Sequence, residues 1–164
     1  MMKNPENILK RTLRTIPRPS NSNTVENLSN LSESPKLSNS NSIVALVFEL
    51  LNGVTKVHIN HLRVNGPGAY AAHTAMGGFY DEVGGLADDI AEQYQGITEK
   101  IITYPTSVEL PTMSTAEDCL SYMRTLYDMV NEAQDSCPYS EINNTLDEVK
   151  SLINSTKYKL LFLK

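Results

Sequence analysis

Two long helical patterns that meet at a Gly-Pro-Gly turn constrain this chain more than any other feature. Apolar residues recur at three- and four-residue steps on both sides of Gly66, Pro67 and Gly68, a period typical of amphipathic helices. We predict one helix over Ser42–Leu62, capped by Ser40 or Ser42, and a second over Ala69–Tyr94, with Gly96 as its C-terminal cap. The residues that carry the pattern are Val44, Val47, Leu50, Leu51, Val54, Val57 and His61 before the turn, and His73, Met76, Tyr80, Val83, Ala87, Ile90 and Tyr94 after it.

All three histidines of the chain lie close to this turn. His61 belongs to the last turn of the first helix and His73 to the first turn of the second, so the corner can bring their imidazoles together. Further along the second helix, Asp88 and Glu92 are four residues apart, which places both carboxylates on one helix face.

Helix geometry limits how these four residues can share a metal ion. His73 and Asp88 are fifteen residues apart, which is about 22 Å along a helix at 1.5 Å per residue. If all four ligate, the carboxylates must come from a second copy packed antiparallel across a two-fold axis. The Glu-x-x-His pairs that build sites within one bundle are absent from the sequence. Any metal site would therefore be intersubunit.

The order of these residues resembles the Dps proteins, which are ferritin-like mini-ferritins. The resemblance rests on His-x11-His-x14-Asp-x3-Glu, the Gly-Pro turn and the FYDE motif of the second helix. It implies iron ligation by His61, His73, Asp88 and Glu92, with oxidation and sequestration of Fe(II). It also implies a ferroxidase with an incomplete ligand set, because Gly77 stands where the family usually has a carboxylate. His58, Asp81 and Glu82 are predicted to support these ligands or simply to pack or face solvent.

Two more helices are predicted beyond a long connection over Ile97–Met113, which contains Pro105 and Pro111. Ser114 and Glu117 form a capping-box pattern for the third helix, and Pro138 or Ser140 opens the fourth. The sequence thus predicts an all-α, ferritin-like four-helix bundle with a long connection between its second and third helices. Apolar stripes mark both helices: Cys119, Leu120, Met123, Leu126, Tyr127 and Val130, then Ile142, Leu146, Val149, Leu152, Ile153 and Tyr158.

Residues 1–41 differ in composition from the predicted bundle of residues 42–164. They are rich in Ser and Asn and poor in aromatic residues, so we expect an arm that is disordered or extended on its own. The arm either docks on nucleic acid or a partner protein, or is a solubilising leader. Five of its six basic residues lie in the first eighteen positions: Lys3, Lys10, Arg11, Arg14 and Arg18.

Composition excludes several functional classes. The net charge of −5 argues against a nucleic-acid binder that uses its whole surface, so DNA binding would need the arm. There is no signal peptide core, no membrane anchor is expected, and Cys119 and Cys137 are expected to stay reduced. The sequence contains no P-loop, no G-x-G-x-x-G and no H-E-x-x-H motif. We therefore expect a protein that is not exported, and the family resemblances imply the bacterial cytoplasm or a virion as its location.

Two functional hypotheses remain. The first is a homo-oligomeric, Dps-like iron-binding protein whose two-fold interface is formed by the first and second helices. The second follows from the sequence between the YQG motif at residues 94–96 and the C-terminal helix, which resembles uncharacterised ferritin-like proteins of tailed bacteriophages. It is a phage structural or assembly protein with an eroded metal site, attached to DNA or to other phage proteins by its arm.

Overall fold

Four α-helices make up the part of the chain that this computed structural model describes, residues 39–110 and 113–163. The helices are α1 (Asn39–Arg63), α2 (Ala69–Thr98), α3 (Ala116–Ser136) and α4 (Ser140–Phe162), and the described residues contain no strand. The predicted all-α four-helix bundle is confirmed. Residues 1–38 of the predicted arm, with Lys3, Lys10, Arg11, Arg14 and Arg18, lie outside the described residues, whereas residues 39–41 belong to α1.

The helices form a bundle in which α1 and α4 each pack against both α2 and α3. The end of α1 contacts the start of α3 through Asn60, whose side-chain amide donates a hydrogen bond to the carbonyl of Thr115 (3.1 Å). At the opposite ends of the two helices, the hydroxyls of Ser42 and Ser136 share a hydrogen bond (2.6 Å). Helices α1 and α3 are therefore antiparallel. Because α2 also reverses the direction of α1, α2 and α3 run the same way. Residues 99–115 must then cross the length of the bundle, an arrangement with one long crossover that ferritin-like bundles also have.

The first two helices are longer than their predicted spans. Helix α1 begins at Asn39, so Ser40 and Ser42 are helical and neither is its N-cap. Helix α2 continues through Gly96 to Thr98 and ends at Glu99, which adopts the left-handed conformation (φ 54°). The prediction of Gly96 as the cap was wrong. The Gln95 side chain accepts a hydrogen bond from Ile102 N (2.9 Å) and fastens the chain just beyond the helix.

The start of α3 is shifted by one residue from its predicted cap. Thr115, not Ser114, is the N-cap: its hydroxyl accepts from Asp118 N (3.0 Å), and Asp118 accepts from Thr115 N (2.9 Å). Asp118 also accepts from Ser114 N (2.9 Å). These bonds, that of the Ser114 amide first, lower the pKa of Asp118 because they favour its charged form. The predicted start of the fourth helix at Ser140 is confirmed.

The core follows the predicted stripes closely. Most stripe residues of α3 and α4 are buried, whereas Tyr158 is 56% exposed. Both cysteines are free and buried, as expected, and burial raises the pKa of Cys119 to about 12. Residues Ser42–Arg63 of α1 are long and apolar enough to cross a membrane, a criterion that core helices also meet. Leu46, Val47 and Leu50 of this segment are completely buried in the bundle, which accounts for its composition.

Candidate metal centre

The corner between α1 and α2 is fixed by its glycines and by backbone hydrogen bonds. Gly66 (φ 88°) and Gly68 (φ 75°) both adopt the left-handed conformation, which residues with a Cβ rarely reach. The amide of Ala69 donates to the carbonyl of Gly66 (3.1 Å), and Val64 N closes the last turn of α1 on Asn60 O (2.9 Å). The turn therefore holds the end of α1 beside the start of α2.

His61 and His73 stack across this corner. Their ring centroids are 3.6 Å apart and the ring planes differ by 22°. His61 is half-buried and His73 is exposed. The predicted convergence of the two imidazoles is present within one chain. The buried amide of Asn60, anchored on Thr115, holds the neighbouring residue of α1 in place.

Each of these imidazoles is oriented by the backbone of the other. His61 Nδ1 lies 2.9 Å from the carbonyl oxygen of His73, and His73 Nδ1 lies 3.1 Å from that of His61. A carbonyl oxygen can only accept, so both Nδ1 atoms carry the proton and donate. In the neutral imidazole this leaves Nε2 of each ring with a free lone pair. Metal-binding histidines are commonly oriented in this way by a carbonyl acceptor.

His58 and Tyr80 extend the ring cluster. His58 stacks on Tyr80 (4.4 Å between centroids), and Tyr80 meets His61 edge-on (5.2 Å). This contact agrees with a packing role for His58. The sequence pattern did not single out Tyr80 as a neighbour of the histidines, although it lies seven residues after His73 and so on the same side of α2.

Gly77 lies directly beside His61. A Cβ added at this position would be 3.8 Å from His61 Cε1 and 3.9 Å from Nδ1, which is ordinary van der Waals contact. Gly84 similarly faces Val54 of α1 (3.6 Å). The close approach of α1 therefore accounts for Gly77 and Gly84, and α2 continues through both positions without a break.

Asp88 and Glu92 are exposed on the same continuous helix as His73. Because Asp88 follows His73 by fifteen positions on α2, the axial separation is about 22 Å. One chain therefore does not bring all four predicted ligands together. Burial and the nearby negative charge of Asp88 raise the pKa of Tyr104. Asp81 and Glu82 are exposed, and no three His, Cys, Asp or Glu side chains within the described ranges are grouped to hold a metal ion.

A second polar cluster, which the sequence pattern did not indicate, joins α1 to α3. Lys56 donates to both oxygens of Glu49 (2.6 and 2.9 Å), and the hydroxyl of Tyr122 donates to the same carboxylate (2.8 Å). Lys56 is only 9% exposed. Burial, followed by the charge of Glu49, raises the pKa of Tyr122, which therefore stays neutral. A Cβ at Gly53 would lie 3.0 Å from the Tyr122 oxygen, so any larger residue at this position would have to displace the hydroxyl.

The chain matches a protein family that has no assigned activity. Residues 61–160 match a family of unknown function (DUF5856), and because the match covers more than half of the chain, the protein belongs to that family. The match begins at His61 and includes His73, Asp88 and Glu92, whereas His58 precedes it. No curated protein and no solved structure matches the chain.

Proposed function

We propose that this member of the DUF5856 family binds a divalent transition metal, with Fe(II) as its substrate, at a site built by two copies of the chain. His61 and His73 of one copy would supply two nitrogen ligands. Asp88 and Glu92 of the second copy would supply oxygen ligands. Imidazole and carboxylate together suit iron and its neighbours in the first transition row.

The orientation of the histidine pair carries this proposal. Both rings donate from Nδ1 to a backbone carbonyl, at 2.9 and 3.1 Å, so both neutral rings keep Nε2 available. The two rings are also neighbours, with 3.6 Å between their centroids. The pair thus fits a metal on two grounds, the chemistry of the donor atoms and the fixed tautomer.

A second copy of the chain is required because the proposed ligands are too far apart within one chain. A ligand set limited to two imidazoles is too small for iron oxidation centres, which combine histidines with carboxylates. Asp88 and Glu92 are exposed and on the same helix as His73, but Asp88 is about 22 Å and Glu92 about 28 Å away along the axis. An antiparallel pairing of two α2 helices about a two-fold axis would bring each carboxylate pair opposite the partner's histidines and would form the site twice.

Oxidation and storage form the second part of the proposal. By its resemblance to mini-ferritins, the chain would oxidise Fe(II) with peroxide or dioxygen and retain the product within a larger oligomer. Position 77 faces His61, since a Cβ added there would lie 3.8 Å from His61 Cε1. A glycine at this position deprives the site of one carboxylate. We therefore expect slower oxidation than in a site with the full set of ligands.

The test combines metal analysis with native mass measurement. His73→Ala and Glu92→Ala should each lose most of the bound iron, although the two residues are far apart in one chain. Mixing the two variants should restore part of the binding, because a mixed dimer keeps one complete site. Metal should also shift the association equilibrium towards the dimer. Asp128→Ala, an exposed carboxylate on α3, is the matched control.

Unchanged iron content and dimer mass in both alanine variants would contradict the proposal. The second candidate, a structural or assembly protein of a phage, would then gain weight. The observation that favours it is Gly77 beside His61, since a glycine there is compatible with a bundle that no longer uses its metal ligands. A protein that remains metal-free at high purity and assembles normally would support this second function.

A further inference from the structure

The two halves of the bundle carry opposite charge. The half next to the Gly-Pro-Gly corner contains five Lys or Arg and two Asp or Glu, whereas the rest of the described chain contains two and fourteen. Helix α1, with its 25 residues, extends about 37 Å between the two ends, well beyond the Debye length of about 8–10 Å. Each end therefore attracts or repels a partner through its own charge. The first half is counted over residues 52–80, 113–126 and 152–163, and the rest over residues 39–51, 81–110 and 127–151.

The two acidic residues of the corner half are already engaged within the chain. Glu117 pairs with Arg124 (3.2 Å), and the carboxylate of Asp118 accepts from two backbone amides (2.9 Å each). The ion pairs of the described residues are this one and Lys56–Glu49, so the other basic side chains of the corner half have no carboxylate partner. These side chains are Arg63, Lys157 and Lys159. The corner half thus keeps positive charge available for a partner.

Large apolar side chains are exposed at the corner end of the bundle, where α1 and α4 end. Leu62 is 72% exposed and Phe162 is 70% exposed, and Phe162 lies beside the exposed ring of Tyr158 (5.6 Å between centroids). Leu163 and Pro67 line one cavity of about 250 Å³, so the end of α4 and the corner share a surface. An apolar surface with charged neighbours is a usual sign of a protein–protein interaction site.

The far end of the bundle, where α1 and α4 begin and α2 and α3 end, has the complementary chemistry. Ile101, just beyond α2, is 84% exposed. Within residues 95–102 and 132–143, Lys100 is the one basic residue. The exposed acids of these two segments are Glu99, Glu132, Asp135 and Glu141.

We propose that copies of the chain associate head to tail, with the corner end of one copy against the far end of the next. The unpaired basic side chains of one copy face the acids of its neighbour, and Leu62 and Phe162 cover Ile101. Contacts between two corner ends or two far ends place like charges against each other, which opposes both. The contact joins two different surfaces, so it repeats in chains or rings. It does not rest on the proposed metal binding, because it uses the ends of the bundle.

Sedimentation equilibrium of the full-length protein in EDTA tests this contact. EDTA removes the contribution of a metal-linked dimer. In 50 mM salt, the mean mass of the wild type should rise about twofold or more between 1 and 100 µM protein, and 0.5 M salt should reduce this rise, because screening weakens interactions between exposed charges.

Two variants each block one end. The head variant, at the corner end, is Leu62→Ser, Phe162→Ser, Leu163→Ser. The tail variant, at the far end, is Glu99→Gln, Ile101→Ser, Glu141→Gln. Every substituted residue is exposed, so circular dichroism should show unchanged helix content. Neither variant alone should gain mass with concentration. An equimolar mixture should form complexes that contain both, because each variant retains the end that the other lacks.

Two further variants separate charge from folding and from general surface effects. Arg63→Gln with Lys159→Gln removes charge alone and should weaken the association of the otherwise intact chain about threefold, as expected for exposed ion pairs. The matched control is Leu51→Ser with Asp128→Asn, exposed residues in the middle of α1 and α3. It should associate like the wild type.

Several results would overturn the proposal. One is a wild-type mass that does not change with concentration at low salt. Another is association of the tail variant alone, which indicates contacts between corner ends, or of the head variant alone, which indicates contacts between far ends. A mixture of the two variants without mixed complexes, or a control that loses as much association as they do, also excludes a head-to-tail contact.

Discussion

Replacing Gly77 by aspartate should create the carboxylate that the candidate metal centre lacks. Position 77 is helical, and its Cβ would lie 3.8 Å from His61 Cε1 without a clash. Glycine and aspartate differ by only a few tenths of a kcal/mol in helix propensity. The metal-free protein should therefore fold with nearly unchanged stability, and an altered metal affinity can be attributed to the new carboxylate.

The size of the effect follows from the charge and the distance. Two unit charges about 4 Å apart attract by roughly 4 kcal/mol at the effective dielectric constant near a protein surface. A divalent ion doubles this energy, and dehydration of the carboxylate offsets a large part of it. We expect a net gain of at least about 1.4 kcal/mol, which is a tenfold lower Kd. The measurement belongs at about pH 7.5, where ordinary histidines are neutral.

Isothermal titration calorimetry with Zn(II), and with Fe(II) under anaerobic conditions, measures this gain. Gly77→Asn is the matched control for size and polarity without charge. Gly85→Asp places the same carboxylate on α2 at a position with nothing within 4 Å. If Gly77→Asp binds no more tightly than Gly77→Asn, or if Gly85→Asp gains as much, the stacked histidines are not the metal site.

Two further predictions concern stability. Asp118→Asn should lower the free energy of unfolding by about 1 kcal/mol at pH 7 through the loss of the capping box. Because the folded-state pKa of Asp118 is lowered, its contribution is present above the unfolded value of about 3.9 and disappears as the pH falls through the folded value. The urea midpoints of the wild type and of Asp118→Asn should therefore converge at a pH below the folded-state pKa of Asp118. Equal midpoints at pH 7 would contradict the capping role. Tyr122→Phe removes the hydrogen bond to Glu49 and should lower the free energy of unfolding by about 1.5 kcal/mol, which lowers Tm by several degrees. The control Tyr70→Phe, at an 85% exposed position, should leave Tm unchanged. Equal Tm values for Tyr122→Phe and the wild type would refute the role of the hydroxyl.

The helices could be predicted from the sequence because each one has its own apolar period, but their ends could not. Ser114-x-x-Glu117 and Thr115-x-x-Asp118 are overlapping capping-box patterns, and only the folded chain decides between them. Gly96 is a favourable cap residue, yet the helix passes through it because Glu99 takes the left-handed position. Local sequence offers several ends of similar energy, and the packing of the following segment selects one.

For the candidate metal centre, too, only the local part could be predicted from the sequence. The short turn between the helices of His61 and His73 predicted that the two residues lie close together, because both belong to one helical hairpin. The tautomers of the two histidines depend on hydrogen bonds to carbonyl groups across the corner. The periodicity of apolar residues in the sequence carries no information on these bonds. The pair of Glu49 and Lys56 was not predicted, although two charged residues seven apart in an otherwise apolar helix could have indicated it. Their partner Tyr122 is 73 residues away from Glu49, so the complete cluster required the tertiary structure.

Helix α2 has two chemically different faces. Asp88 and Asp89 are neighbours in sequence, but successive residues of a helix are rotated by about 100°. Asp88 shares the side of His73 and Gly77, whereas Asp89 lines the groove next to α4. His73→Ala should consequently reduce iron binding, whereas Glu148→Gln, in the groove, should leave it unchanged. If both variants lose iron equally, the metal centre is not built from the face of α2 that contains His73.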